Sequence, residues 1–419
     1  MLKNRNIALV VSARFISRVG GSAAFFIGTW GMAAYTFHAS ASTLAWVMAG
    51  NSIAAIAGSM VAGVMIDRVG PRRVLITAEL LTIPSAIAMV FAPTFAIFVP
   101  LAWLFGLVGT PTFTAGSAFA PFLVSGRDDL KSVNALIEGA GSLAFVLGPA
   151  FGAVIAGWGG GPRSVFVAMA ISSAVAAVLA WFVHIDDTGR EDLEHDSWGE
   201  FKEGLRISYS TASLRYFILT GTAVWFGFGA FSALEPLFYR DVVKVGVEWI
   251  GWINSAFGVG LVSGAALLPR LPKKLVSARG LAIMTALTGL GAVLYVGSTD
   301  LRLICAGAVL WGVVIGAFDP LLRTLLHLSS PQEYVGRIVG TSQYHRNAGE
   351  LIPLAIAPTL AVLIGVQPTL IVGGVFVAIV ALASLPIAAR IDRGLTAQGL
   401  IAGPVIRVEP TVGLGDEIL

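Results

Sequence analysis

Several ionisable side chains of this 419-residue chain stand inside long apolar stretches, where a charge costs several kcal/mol unless it is paired or wet. Glu235 lies in GFGAFSALEPLF, and the nearest basic residue in sequence, Arg240, does not share its helical face. Apolar surroundings penalise an ionised carboxylate, which suits Glu235 to take up and release a proton. Once ionised it could hold a cation among Trp225, Phe228 and Phe231; bracing the turn at Pro236 or pairing with a distant arginine is the plainer alternative. Asp319 and Arg323 are spaced i,i+4 with His327 one turn on, and Arg346 and Glu350 repeat that spacing beside His345. Each pair is either a self-satisfied ion pair or part of a site. Glu138 is close enough to the end of its stretch to reach water. Glu79 is placed to answer the arginines of a nearby basic turn. Arg14 and Arg18, on one face of the first stretch, read as contacts to lipid phosphate or to a linker.

Nothing else in the chain offers chemistry. The 5 histidines (His38, His184, His195, His327, His345) have no ligand spacing, and no phosphate-cradling Gly-Lys-Ser/Thr loop is present. The lone Cys305 allows no internal disulfide. No enzyme, metal or cofactor is expected.

Only membrane-spanning helices can position such groups. The chain is 56% hydrophobic and 12% charged, against about 25% charged in globular proteins. Twelve apolar runs recur, at 7–37, 43–66, 73–92, 96–124, 133–157, 163–185, 213–240, 247–268, 278–297, 301–328, 335–364 and 367–389. Each is long enough to cross a bilayer, and helices satisfy their own backbone there. The first run has no cleavage site of small residues and is read as a retained span. With both termini cytoplasmic, only Arg163, Arg240, Lys244 and Arg302 of the 27 Lys and Arg fall on the outer side. Arg14, Arg18, Arg323 and Arg346 fall within spans, and the rest lie inside, as the positive-inside rule requires. Scattered among loops, these cations point to a bilayer and not to nucleic acid.

The runs group into a six-helix unit (1–185), a linker (186–212), a second six-helix unit (213–393) and a short tail (394–419) expected to be mobile. The linker opens on DDTGREDLEHD and ends in a segment with helical spacing of Trp198, Phe201, Leu205 and Tyr209, expected along the inner membrane surface. The halves repeat at a shift of 201 positions: Arg14-Phe15 falls on Arg215-Tyr216, Gly50 on Gly251, Gly63 on Gly264 and Pro71-Arg72-Arg73 on Pro272-Lys273-Lys274. Asp67 falls on Leu268, so the second copy lacks the acid.

Between the second and third runs lies GVMIDRVGPRRV, with Gly63, Asp67, Arg68, Gly70, Arg72 and Arg73. It resembles the G-x-x-x-D-R-x-G-R-R loop of the major facilitator superfamily, with Pro71 where a basic residue is more usual. The fifth run carries GPAFGA (Gly148, Pro149, Gly152) and resembles that superfamily's antiporter motif, with Ala144 and Ala153 where glycines are common. Glycine permits close helix contact and proline frees a carbonyl, favouring a bend between the halves. RFIS at 14–17, DRVGPRRVLITAELL at 67–81, EPLFYRDV at 235–242 and VGRIVGTS at 335–342 make the whole chain similar to the drug:proton antiporter-3 branch, with its macrolide-efflux, Tap-like and enterobactin-exporter-like members. One departure is Gly20-Gly21-Ser22, where members often carry an acid after the first-helix glycine.

The resemblance implies an all-α integral membrane protein of twelve helices in two pseudo-symmetric bundles, with helices one, four, seven and ten lining a central cavity. Trp30, Phe113, Trp225, Phe228, Phe231 and Trp311 on those helices would offer an aromatic, weakly selective wall, or else pack the helices. It further implies a monomeric inner-membrane antiporter that exports amphipathic or cationic small molecules by proton-coupled alternating access. A substrate-specific importer or uncoupled facilitator is the rival. Asp67 is expected to cap the amino end of the eleventh helix when the inner side closes.

Overall fold

The computed structural model describes residues 4–124, 126–185 and 197–401. The acidic part of the linker (186–196) and the tail from 402 onward lie outside the described residues. Spanning helices are α1 (Arg5–Thr36), α2 (Ala41–Val69), α3 (Pro71–Val90), α4 (Phe95–Ser117), α5 (Arg127–Ile155), α6 (Gly161–Trp181), α7 (Ala212–Val243), α8 (Glu248–Leu267), α9 (Ala278–Val296), α10 (Leu301–Ser329), α11 (Val335–Ile364) and α12 (Val366–Ala397). Helical geometry is nearly continuous from Asp128 to Trp181, 54 residues. A straight helix of that length would reach about 81 Å, far beyond a hydrocarbon layer of about 30 Å. The chain instead turns back at Trp158 and Gly159, where Gly159 takes φ +96°. Val133 of α5 and Ala180 of α6 accordingly share one core. Among the described residues there are twelve spanning helices, and the protein is a multi-pass membrane protein.

Helix pairing repeats between the halves. α1 packs on α5, α2 on α4 and α3 on α6; six helices later, α7 packs on α11, α8 on α10 and α9 on α12. Small residues set these crossings, since helices in lipid associate by close packing. Gly260 and Gly264 of α8 lie against the backbone of Val309 and Val313 of α10, and Gly312 and Gly316 answer them against Phe257 and Leu261. In the first half, Gly58 of α2 meets Leu107 and Pro111 of α4. Gly63, the repeat counterpart of Gly264, faces open space.

The α3–α6 and α9–α12 joints are closed by opposite charges. Arg72, at the start of α3, donates to the carbonyls of Ala180 (3.4 Å) and Trp181 (2.7 Å) at the end of α6. Asp392, on the last turns of α12, accepts from the backbone N–H of Ala278 (2.6 Å) and Arg279 (3.2 Å), which open α9. A cation on a helix C-terminus and an anion on an N-terminus both satisfy orphan backbone groups and the helix dipole.

The apolar core is continuous at one end of the molecule and divided at the other. At the end away from the basic α2–α3 loop, one cluster joins Ile27, Leu44 and Phe98 of the first half to Leu234, Ile250 and Leu354 of the second. At the basic end each half has its own core: Ile66, Phe119 and Ile137 in the first, Phe217, Leu321 and Ile338 in the second. Polar contacts between halves also gather at the far end: Tyr35 donates to the Val245 carbonyl (3.0 Å), and Arg240 to those of Ala34 (2.7 Å) and Ala39 (3.1 Å).

The described part of the linker forms a helix, Ser197–Ser210. It packs on α11. Gly204 lies against the Arg337 carbonyl, Glu203 pairs with Arg337 (2.5 Å), and Tyr209 bonds His345 (2.8 Å).

Glycine at the α8–α10 crossing is a packing requirement. Gly264→Val should destabilise the folded protein by roughly 1–3 kcal/mol through overpacking, seen as a lower thermal unfolding temperature in detergent. Gly63→Ala, at the repeat-related position, should leave that temperature unchanged or raised.

Candidate functional site

A cavity of about 310 Å³ lies in the first half between α1 and α4. Phe25, Phe26, Phe105, Phe113 and Phe145 form its apolar wall. Phe26 meets Phe25 edge-on at 5.1 Å and Phe145 at 5.8 Å. Above the inner turns of α1 the helix widens to π geometry from Ala24 to Trp30, a distortion frequent at functional sites.

Toward the basic end the wall becomes cationic. Arg14 donates to the Phe113 carbonyl (2.8 Å) and pairs with Glu138 of α5 (3.3 Å). Room for its guanidinium exists because Gly116 has no side chain: a Cβ there would fall 2.7 Å from Arg14 Nη1. Arg18, one turn on, lies over the Phe113 ring at 4.2 Å. Both arginines therefore line the cavity, and the expected lipid-phosphate or linker contacts are replaced by contacts within the first half. Their place on α1, a helix expected to line the cavity, was the available signal. Glu138 holds Arg14 while 61% of its side chain stays exposed.

In the second half, the pseudo-equivalent helices α7, α10 and α11 carry the other charges. Neither i,i+4 pair forms along its own helix. Arg346 of α11 instead pairs across to Asp319 of α10 (3.6 Å) and stacks over Trp225 of α7 (4.2 Å). Glu350 accepts from the Ser232 hydroxyl of α7 (2.8 Å). Arg323 is exposed. Tertiary packing wins here because facing helices bring the partners together with less solvent between them than along a single exposed face.

Glu235 has company that the sequence did not reveal. Its Oε1 accepts from Tyr239 (2.8 Å), from Tyr295 of α9 (2.7 Å) and from Asn254 of α8 (3.2 Å). The two tyrosyl hydroxyls also touch each other. The carboxyl is 6% exposed and turns toward α8 and α9, away from the cavity wall. Phe231 and Trp311 are buried in the same packed stack with Tyr295, and Phe228 stacks on Trp311 at 4.8 Å. Trp30 is buried with its indole N–H on Met48 Sδ (3.0 Å). Of the six aromatic residues expected in the cavity, Phe113 lines it; Trp30, Phe231 and Trp311 belong to the core. Glu79 is also fully buried, facing Ser17 and Ser173, and does not meet the loop arginines.

Within the basic loop, Gly70 takes φ +86°, a conformation that favours glycine. Arg72 closes the α3–α6 joint, and Asp67, Arg68 and Arg73 are exposed. In α5, Gly148 lies against Val19 and Ser22 of α1, and Gly152 against Ala23 and Ile27. These two glycines thus serve the α1 contact, whereas the Pro149 carbonyl meets Gly251 of α8 across the two halves.

Two repeated six-helix units, sharing an apolar core at one end and keeping separate cores at the other, beside a cavity, suit a membrane transporter. The chain belongs to the Major Facilitator Superfamily, whose family profile matches residues 10–279. It is 26% identical over 344 residues to the multidrug efflux pump Tap of Mycolicibacterium fortuitum, covering 76% of this chain and 82% of that one. Against the pump of the same name from Mycobacterium bovis (strain BCG / Pasteur 1173P2), identity is 24% over 376 residues, covering 83% and 85%. Among solved structures, the chain resembles the peptide transporter POT in complex with sulfate (TM-score 0.74, 12% identity, 96% of each chain). It also resembles the nucleoside transporter NupG (TM-score 0.73, 12% identity, 92% of this chain and 100% of that one). At that identity the likeness is one of fold.

The Glu235 cluster yields a stability prediction. Glu235→Ala removes the acceptor shared by Tyr239, Tyr295 and Asn254. Asn254 keeps the Ile250 carbonyl and the two hydroxyls keep each other. One buried O–H is left unsatisfied at a cost of about 1–3 kcal/mol, and the unfolding temperature should fall. Glu235→Gln retains an acceptor and should fall much less, in the same thermal assay.

Proposed function

We propose that the protein is a proton-coupled exporter of amphipathic small molecules in the cytoplasmic (inner) membrane, with both termini in the cytoplasm. One observation carries this reading: the halves share a core at the far end and have separate cores at the basic end. A carrier working by alternating access needs two closures with only one formed at a time, and this arrangement fits a state open toward the basic side. The positive-inside rule assigns that side to the cytoplasm, so the cavity receives cargo from within the cell. Similarity to the Tap efflux pumps over most of the chain supports the same direction.

The coupling proton is assigned to Glu350. It lies half-buried between α7 and α11, and its hydrogen-bond partner is the neutral Ser232 hydroxyl. The neighbouring Arg346 is engaged with Asp319. A carboxyl so placed can change its proton without breaking an ion pair of its own. Glu235, enclosed by three donors, suits bracing the joint of α7 with α8 and α9.

Glu350→Gln should abolish export driven by a proton gradient in everted vesicles while cargo binding survives. Cargo added to energised wild-type vesicles should discharge part of the internal acid. Export that continues at the same rate after complete uncoupling would instead make the protein a facilitator.

In the alternate state, with the basic side closed, Asp67 is placed to meet the amino end of α11 near Val335, where an exposed anion gains about 0.3–1 kcal/mol. Asp67→Asn should therefore favour the basic-side-open state. Reporter cysteines on the two faces should become more and less reactive respectively; unchanged labelling on both faces would exclude the latch.

A further inference from the structure

Two cations line the cavity, and they differ in their partners. Arg14 has Glu138 at 3.3 Å. Arg18 forms no ion pair and no hydrogen bond among the described residues, and its Nε is buried without a partner. Its one neighbour of note is the Phe113 ring, at 4.2 Å. Three neighbouring polar groups on this wall donate to backbone: Thr110 to Gly106, Thr112 to Gly109 and Asn51 to Ala102. A guanidinium with open donors, beside an aromatic-lined cavity, is a receptor for an oxyanion attached to an apolar body. Its fork of N–H groups matches the geometry of a carboxylate. The cavity, at about 310 Å³, falls in the range of roughly 300–1,000 Å³ typical of small-molecule sites.

We propose that Arg18 is the anion-recognition residue of this cavity, and that the preferred cargo is an aromatic or amphipathic organic acid. The acid's oxygens bond the Arg18 guanidinium, and its apolar part packs among Phe25, Phe26, Phe113 and Phe145. Arg14, fixed by the Phe113 carbonyl, Glu138 and the space left by Gly116, holds Phe113 beneath Arg18 and adds to the positive potential. The same potential disfavours the cationic cargo suggested by the resemblance. This inference rests on the reading that the cavity is where cargo binds. An oxyanion could also arrive as the phosphate of a lipid headgroup, and the test separates that source.

Binding of three probes sharing one ring, 2-naphthylacetate, 2-naphthaleneethanol and 2-(2-naphthyl)ethylamine, is measured by titration calorimetry on the full-length protein in phosphatidylcholine nanodiscs. The acid should bind about tenfold or more tightly than the amine, a difference of about 1.4 kcal/mol. Arg18→Gln should remove that preference while leaving the alcohol's affinity and the unfolding temperature unchanged; Arg18→Lys should keep much of it. Equal binding of the three probes, no binding of the acid, or an acid preference that survives Arg18→Gln would each overturn the assignment. Should Arg18→Gln not fold, the wild-type probe series and Arg18→Lys decide. Adding phosphatidylglycerol to the nanodiscs distinguishes the sources: displacement of the acid in wild type assigns the oxyanion to a headgroup and overturns the organic-acid cargo, and no displacement supports the acid. Gradient-driven export is followed in parallel. Export without an anion preference overturns this inference alone, whereas anion binding without any export overturns the exporter reading and leaves Arg18 as the receptor.

Discussion

The structure depends on an apolar core that crosses between the halves at one end only. Ile27, Leu44, Leu234, Ile250 and Leu354 belong to a single cluster, so separating the halves there would expose a large apolar area. At the basic end the two cores are complete within their own halves, and parting the halves exposes no such area. The asymmetry leaves the joint between the halves apolar and shared at one end and without a shared apolar core at the other. Pairing within each half is tight. Glycine brings backbone against backbone at the α8–α10 crossing, and Arg72 and Asp392 tie helix ends together at the two repeat-related joints.

The buried charges divide between bracing and unspent capacity. Glu235, with two tyrosines and an asparagine, closes a polar network inside an apolar core; such a network stabilises when satisfied and is costly when broken. Arg14 with Glu138 and Arg346 with Asp319 link helices across each bundle. These three arrangements consume their charges locally. Arg18 and Glu350 do not: one lacks an acid and the other bonds a neutral hydroxyl. Glu79 is likewise buried with neither carboxylate oxygen hydrogen-bonded among the described residues, so incompletely matched groups are shared among several helices.

Much of the site was outside the reach of spacing arguments. A period of 3.6 residues says which side chains share a face, and so it offered Asp319–Arg323 and Arg346–Glu350 as pairs. It cannot say what that face meets. Arg346 bonds Asp319 because α10 and α11 bring them within 3.6 Å, a relation between positions with no local signature. Nor could it show that three donors surround Glu235, since Asn254 and Tyr295 come from α8 and α9. The aromatic residues stayed divided between cavity wall and helix packing for the same reason. Phe, Trp and Tyr stabilise helix packing and ligand contact by one mechanism, apolar burial, and only the packing separates Phe113 from Trp311.

What the amino-acid order determined by itself was everything that follows from the cost of exposing polar backbone to lipid: twelve spans, their breaks, the internal repeat and the basic turn. Those features are set by runs of residue types along the chain, and the structure repeats them, including a reversal at Gly159 within 54 nearly continuous helical residues. Tertiary structure alone decided which charges are matched, which rings reach the cavity and which end of the molecule is closed. These are differences of a few kcal/mol between alternative neighbours for the same side chain, and neighbours from distant helices become defined only when the helices pack.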